Sequence, residues 1–330
     1  MKTTHYLAYA LPTSGALLLL APMFVVQGIY AKYYGLSLTS IATVVLLSRI
    51  FDAISDPLIG YFSDRYHART GTRKPFVVAG GILLIVAGFF LYVPPEHISI
   101  AYFATWSVLF YLGWTLFDIP HQSWGSELAT DTQDKTKLFS FRTALGYVGV
   151  VLFYTIPLLP FFETSNITPE TLRWCAIAAA VLMCPALYCC IAYVPNGHGI
   201  SKGLKATDQR YSIEPNNRRQ LFESIIKNRP LVLLLSCYTF FGLGMGMWQG
   251  LIFIYVDSYL ELGAQFAPML LAAVIMGVVI TPVWSYFAGL LGKKNTWLIA
   301  TVLMALSCLY TGVLLPETTT LLELIAIKIV

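Results

Sequence analysis

A membrane-crossing helix needs about 20 consecutive apolar residues to span a hydrocarbon core of about 30 Å. Runs of that length recur at 6–31, 38–63, 75–95, 99–125, 138–162, 170–194, 230–256, 263–290 and 294–315, separated by short polar intervals. A tenth run begins near Leu321 and is still apolar at Val330. The pattern predicts an all-α, polytopic transmembrane helical bundle. It also predicts a chain that stops inside a span, so that the bundle is truncated in its C-terminal half. One long polar stretch interrupts the series between Pro195 and Arg229. The expected organisation is a six-helix half over 1–194, a central loop over 195–229 and a partial second half over 230–330.

Composition agrees with this. Of 330 residues, 57% are hydrophobic and only 12% are charged, with mean hydropathy +0.69. A soluble domain carries roughly 25% charge, about twice as much. No cleavable signal peptide is expected, because Met1–His5 leads straight into an apolar run too long for one. The net charge of +4 comes from basic residues spread over loops rather than gathered in a patch, so no nucleic-acid partner is expected. The six cysteines (Cys175, Cys184, Cys189, Cys190, Cys237, Cys308) fall in apolar runs without metal-ligand spacing and read as small packing residues.

Lysine and arginine fix the expected orientation, since they concentrate in cytoplasmic loops. Arg65, Arg69, Arg73 and Lys74 follow the second run, and Lys135 and Lys137 the fourth. Lys202, Lys205, Arg210, Arg218, Arg219, Lys227 and Arg229 follow the sixth, and Lys293 and Lys294 the eighth. The other side offers little beyond Lys32 and Arg173. The N-terminus and the central loop are therefore expected in the cytoplasm, and the protein in the plasma or inner membrane as a multi-pass monomer.

The second half echoes the first. Asp56-Pro-Leu-Ile-Gly-Tyr-Phe-Ser-Asp64 resembles Thr281-Pro-Val-Trp-Ser-Tyr-Phe-Ala-Gly289, and a basic pair follows each, Arg73-Lys74 and Lys293-Lys294. With six-run spacing this points to two parallel repeats, as in major facilitator transporters, where the solute sits between the halves near the midplane. Prolines inside the runs, Pro22, Pro57 and Pro157 among them, predict broken or kinked helices. Gly242, Gly244, Gly246 and Gly250 on the seventh run predict close helix contact.

The chemistry is concentrated in the first half. Asp52 and Asp56 lie four residues apart in an apolar run and so share a helix face. One Asp at mid-membrane costs about 2.5–3.5 kcal/mol on insertion scales, and two on one face repel. Such a pair calls for a cation, a proton or a basic side chain between them, and Arg49 and Arg142 are the basic candidates.

From Arg49 to Arg142 a resemblance becomes specific. Arg49-Ile-Phe-Asp-Ala-Ile-Ser-Asp-Pro-Leu-Ile-Gly60, Asp64-Arg65, Arg69-Thr-Gly-Thr-Arg-Lys-Pro75, Thr115-Leu-Phe-Asp118-Ile-Pro120, Gly125-Ser-Glu127-Leu and Arg142 resemble the glycoside–pentoside–hexuronide:cation symporters, a branch of the major facilitator superfamily. The resemblance implies a major facilitator fold and a cation site of Asp52, Ser55, Asp56 and Thr115, with Na+ or H+ as coupling ion and no other cofactor or metal. The family usually has an amide-type residue where this chain has Ser55. The resemblance also implies a solute site at Asp118 and Arg142, to which Gln122 adds polar character where sugar-binding members have an aromatic platform. Those members carry an acid on the first span, where ungapped alignment from Asp52 places Ala16, preceded by Gly15. His121 reads as a helix-end histidine meeting the cytoplasm. The stretch Gly60, Asp64, Arg65, Arg69, Gly71, Arg73 and Lys74 resembles the superfamily's gating motif between spans two and three.

The expected function is cation-coupled symport of a sugar or sugar-derived solute by alternating access, with lipid bilayer and small solute as partners. One alternative keeps the fold and carries a lipid-like or other amphiphilic solute. Another is a transporter-derived receptor or scaffold. No His-Glu-x-x-His, Gly-x-Ser-x-Gly or paired metal ligands are present in the sequence, so an enzyme is not expected.

Overall fold

Each of the nine complete apolar runs folds as helix. The computed structural model describes residues 3–129, 131–197 and 227–316, with 320 and 323. Most of the expected central loop, including Lys202, Lys205, Arg210, Arg218 and Arg219, and nearly all of the tenth run from Leu321 lie outside the described residues. Helix α1 (Thr3–Leu20) leads through a 3-10 turn (Ala21–Phe24) into α2 (Val26–Tyr34). Then come α3 (Leu38–Thr70), α4 (Lys74–Tyr92), α5 (Ile100–Leu128), α6 (Thr132–Thr155) and α7 (Pro169–Tyr193). The second part holds α8 (Arg229–Ile254) with a π-turn (Tyr255–Tyr259), α9 (Gly263–Leu291) and α10 (Lys293–Thr311). Among the described residues there is no strand.

Among the described residues, seven segments are long and apolar enough to cross a membrane by length and composition: Thr3–Phe24, Leu38–Thr70, Lys74–Tyr92, Ile100–Leu128, Gln133–Leu158, Pro169–Tyr193 and Arg229–Tyr259. In α9 the stretch Gly263–Gly277 is a shorter apolar helix. The predicted first span is one run in sequence but two helices in space. Pro22 has no N–H to continue the α-helical ladder, and the chain passes it as a 3-10 turn. Pro157 likewise sits in a 3-10 turn, Ile156–Leu158, whereas Pro57 is carried inside the continuous 33-residue α3.

Helix ends follow local chemistry. Ser37 and Ser99 accept hydrogen bonds from the backbone N–H groups of Ser40 and Tyr102, and Thr168 forms a reciprocal box with Thr171. Gly35 and Gly71 end α2 and α3 in the left-handed conformation, at φ 69° and 75°, where a Cβ would be strained. They mark opposite ends of the bundle, called here the Gly35 side and the Gly71 side.

Within the first six spans, α4 packs along α5, α1 along α6 and α7, and α3 along α5. Small residues allow these close crossings. A Cβ on Gly80 would collide with the Phe117 backbone, and one on Gly113 would stand 2.7 Å from the Leu84 nitrogen. Gly80→Ala is therefore expected to cost about 1–3 kcal/mol by overpacking. A lowered Tm in detergent checks this, and an unchanged Tm would mean a looser crossing. Three of the four span-seven glycines differ from expectation, while a Cβ on Gly250 would stand 3.8 Å from Gln27 Oε1. Among the described residues nothing lies within 4 Å of a Cβ on Gly242, Gly244 or Gly246. The contacts of α8 gather instead at its C-terminal end, where Ile252 and Phe253 are buried.

Candidate ion and solute site

Both candidate sites are built on α5, which faces α3 on one side and meets α6 on the other. Facing α3, Thr115 is buried and its hydroxyl donates to Asp56 Oδ1 at 2.8 Å. Asp52 Oδ2 takes a hydrogen bond from Arg49 Nη1 at 3.3 Å. Arg49 is held in turn by α5, with Nη2 3.1 Å from the Tyr111 hydroxyl and the guanidinium 4.3 Å from the Tyr111 ring centroid. The other oxygen, Asp52 Oδ1, is buried without a hydrogen-bond partner. A buried acceptor left unpaired costs about 1–3 kcal/mol, more for a charged group, so this atom is ready for a cation or a proton. Ser55 is buried, and its hydroxyl turns back toward the Asp52 carbonyl at 3.4 Å.

One turn along α5, Asp118 has both oxygens engaged. Arg142 Nη2 from α6 bonds Oδ1, and Gln122 Nε2 donates to Oδ2 at 2.6 Å. The structure thus brings Asp118, Gln122 and Arg142 together. A carboxylate, a guanidinium and an amide side by side offer both donors and acceptors to a hydroxylated or zwitterionic ligand.

His121 does not meet solvent. It is fully buried, with its ring stacked 4.1 Å from that of Tyr9. Its Nε2 lies 2.9 Å from the Tyr9 carbonyl, and Arg142 Nε donates to its Nδ1 at 3.4 Å. Because arginine only donates, Nδ1 must accept, and the proton belongs on Nε2. The histidine is a neutral support that aims Arg142, a role hidden in sequence because its partners come from α1 and α6. Ala16 is completely buried, and Gly15 lies tight against Met183 of α7.

At the Gly71 side, Arg73 is the hub. Its Nε and Nη2 donate to Glu127 Oε1 at 3.0 and 2.8 Å, and its Nη1 reaches Ser63 Oγ at 3.0 Å and Asp64 at 2.7 Å. Burial disfavours the charged guanidinium, but the bonds to Glu127 and Asp64 outweigh it and raise the Arg73 pKa above its ordinary value. His67 Nε2 stands 3.4 Å from Glu127 Oε2. Lys74 Nζ donates to the Ile191 carbonyl at 2.8 Å, tying this loop to α7. Arg65 bonds Tyr61 on its own helix at 2.9 Å, and Arg69 is exposed. Gly71 makes the turn, while a Cβ on Gly60 would meet only Ile119, at 4.0 Å. Glu127 and His67 were not among the expected gating residues. The signal for Glu127 was a carboxylate ending an apolar run on the same side as four basic residues.

Between the two halves lies a cavity of about 370 Å³, lined by Phe24, Tyr147, Tyr154, Gln249, Phe266 and Leu270 among others. A larger apolar groove of about 700 Å³ runs between α8 and α10, beside Phe241, Trp248 and Met304, away from the acids. All six cysteines are free.

A bundle of apolar helices, with partly buried acids on α3 and α5 and a cavity lined by α6, α8 and α9, defines the class: a multi-pass helical membrane protein. The chain belongs to the MFS/sugar transport protein family, whose pattern it matches over residues 7–330, in the branch of glycoside–pentoside–hexuronide:cation symporters. It is similar to the uncharacterized symporter YnaJ of Bacillus subtilis (strain 168), 24% identical over 242 residues, covering 70% of this chain and 49% of the relative. It is similar to the isoprimeverose transporter of Lactiplantibacillus pentosus, 24% identical over 283 residues, covering 83% and 56%. It is also similar to the sodium-dependent lysophosphatidylcholine symporter 1 of Homo sapiens, 20% identical over 285 residues, covering 78% and 51%. The chain spans about half the length of these curated relatives.

Proposed function

We propose that this chain belongs to a cation-coupled symporter of a sugar or sugar-derived solute, driven by Na+ or H+ and working by alternating access. The observation that carries the reading is the placement of Thr115 and Asp118 on α5. Three residues apart, they are neighbours on one helix. One holds the ion-site carboxylate Asp56, and the other is a carboxylate of the solute site. Neutralising Asp52 and Asp56 by an ion relaxes the repulsion between α3 positions and lets α3 and α5 settle. That in turn sets the angle at which Asp118 and Arg142 meet a solute. The N-terminus and the Gly71 side face the cytoplasm in this reading, because the basic residues gather there.

Asp118→Asn keeps size and removes charge. Solute binding is expected to weaken by about tenfold or more, a loss of about 1.4 kcal/mol, while cation binding changes far less. Isothermal titration with Na+ and with glycosides checks this. Equal loss of both would assign Asp118 to the ion rather than the solute.

A second reading is favoured by the cavity itself. Its lining is mainly aromatic and aliphatic, with polar atoms at Tyr147, Tyr154 and Gln249. Such a wall suits the apolar part of an amphiphile whose polar head meets Asp118, Gln122 and Arg142. The relative named as a lysophosphatidylcholine symporter points the same way. Thermal stabilisation by a lysolipid but by no glycoside would select this reading.

A further inference from the structure

The two halves meet across the bundle at the Gly35 side. Lys32, in the last turn of α2, places Nζ 2.7 and 3.0 Å from the two carboxylate oxygens of Asp257 in the π-turn that ends α8. Asp257 is largely buried, its side chain 9% exposed. One turn earlier on each helix, Gly28 lies under the ring of Phe253, and a Cβ on Gly28 would stand 2.7 Å from the ring's Cε1. The two contacts are spaced four residues apart on both helices, so two helix faces are zipped together over one turn.

The numbering of these contacts gives them meaning. Lys32 and Asp257 are 225 positions apart, as are Gly28 and Phe253. The internal repeat has the same offset, since Asp56 corresponds to Thr281. Each of these residues therefore touches its own counterpart in the other half. In an assembly of two repeats related by an axis along the membrane normal, only groups beside that axis can do so. The ion pair and the ring-on-glycine contact mark the axis, at the point where the halves must part if the Gly35 side is to open. Toward the other end of α8, Leu233, Phe240 and Met247 are exposed.

We propose that Lys32 and Asp257 form an on-axis outer gate, with Gly28 and Phe253 as its steric floor. It holds the Gly35 side shut while the opposite side is open. A π-turn is a sparsely used geometry that often marks functional sites, and here it turns Asp257 toward Lys32. The pair caps the buried Gly28–Phe253 contact, and because Lys32 is half exposed it can be broken and remade at every cycle. Gly28 is required because any side chain would prop the gate open.

This rests on the alternating-access reading but not on the identity of the solute, and it is tested without one. In the intact transporter with its native cysteines replaced, Ala273→Cys places a thiol on the cavity wall. A membrane-impermeant maleimide then reports access from outside. Asp257→Asn and Lys32→Gln are expected to raise the labelling rate several-fold. The exchange Lys32→Asp with Asp257→Lys is expected to return it to the starting value, which a merely misfolded protein would not do. A disulfide between Lys32→Cys and Asp257→Cys is expected to abolish labelling, with recovery on reduction. Unchanged labelling in both single variants, or labelling that persists in the cross-linked protein, would overturn the gate. A gate that behaves as expected in a protein showing no ion-driven uptake would sink the symport reading and leave the gate standing.

Discussion

Asp56→Cys and Asp52→Cys are each expected to abolish concentrative uptake while the protein is still made and inserted. Asp56 anchors α3 to Thr115 of α5, and Asp52 supplies the unpaired buried oxygen beside it. Losing either carboxylate removes a negative charge that would hold the ion, and with it the link between ion gradient and solute. Solute exchange at equal concentration on both sides is expected to survive in part, because it needs no net ion movement. Accumulation at equilibrium, compared with counterflow in reconstituted vesicles, checks this. Sodium- or proton-driven accumulation at the unaltered level in both variants would remove the acids from the coupling mechanism.

The largest stability effect is expected at Glu127, not at the more conspicuous Asp64. Glu127→Ala leaves Arg73, itself 6% exposed, without its main counter-charge. Removing one partner of a buried pair costs about 3–5 kcal/mol, because the other charge is stranded. Asp64 is 67% exposed in its side chain, so Asp64→Ala is expected to cost less than about 1 kcal/mol. Thermal unfolding of both variants in the same detergent compares them. A larger Tm drop for Asp64→Ala would move the hub of the latch out to the loop. Access from the Gly71 side should rise with Glu127→Ala as well, since Arg73 joins the α3–α4 connection to the end of α5.

Much of this site was legible beforehand because it depends on short-range spacing. Asp52 and Asp56 share a face by helix geometry alone, and Thr115 and Asp118 do likewise. The resemblance grouped Asp56 with Thr115 and Asp118 with Arg142, and the structure brings these side chains into contact across α3 and α5, and across α5 and α6. It missed residues whose partners are distant in sequence. His121 was expected at the cytoplasm, but Tyr9 of α1 encloses it and Arg142 of α6 uses it as a support. Gly60 was expected within the gating stretch, yet among the described residues a Cβ there would meet only Ile119, at 4.0 Å. Lys32 was counted as a stray charge on the poorly charged side, yet it meets Asp257 across 225 residues.

The sequence alone determined that this is a helical membrane protein, where its spans lie, and which half carries the buried acids. Those properties follow from local rules: the length of apolar chain that crosses a bilayer, the cost of charge within it, and the 3.6-residue period that groups side chains on a face. The tertiary structure decided which acid is satisfied and which is left with a bare oxygen. It also made Glu127 the partner of Arg73 and brought the halves together at Gly28, Lys32, Phe253 and Asp257. These depend on how helices cross, and crossings are set by a few glycines fitting against particular backbones and rings. No periodicity along one chain encodes that, because both partners must be in place before either position has a meaning.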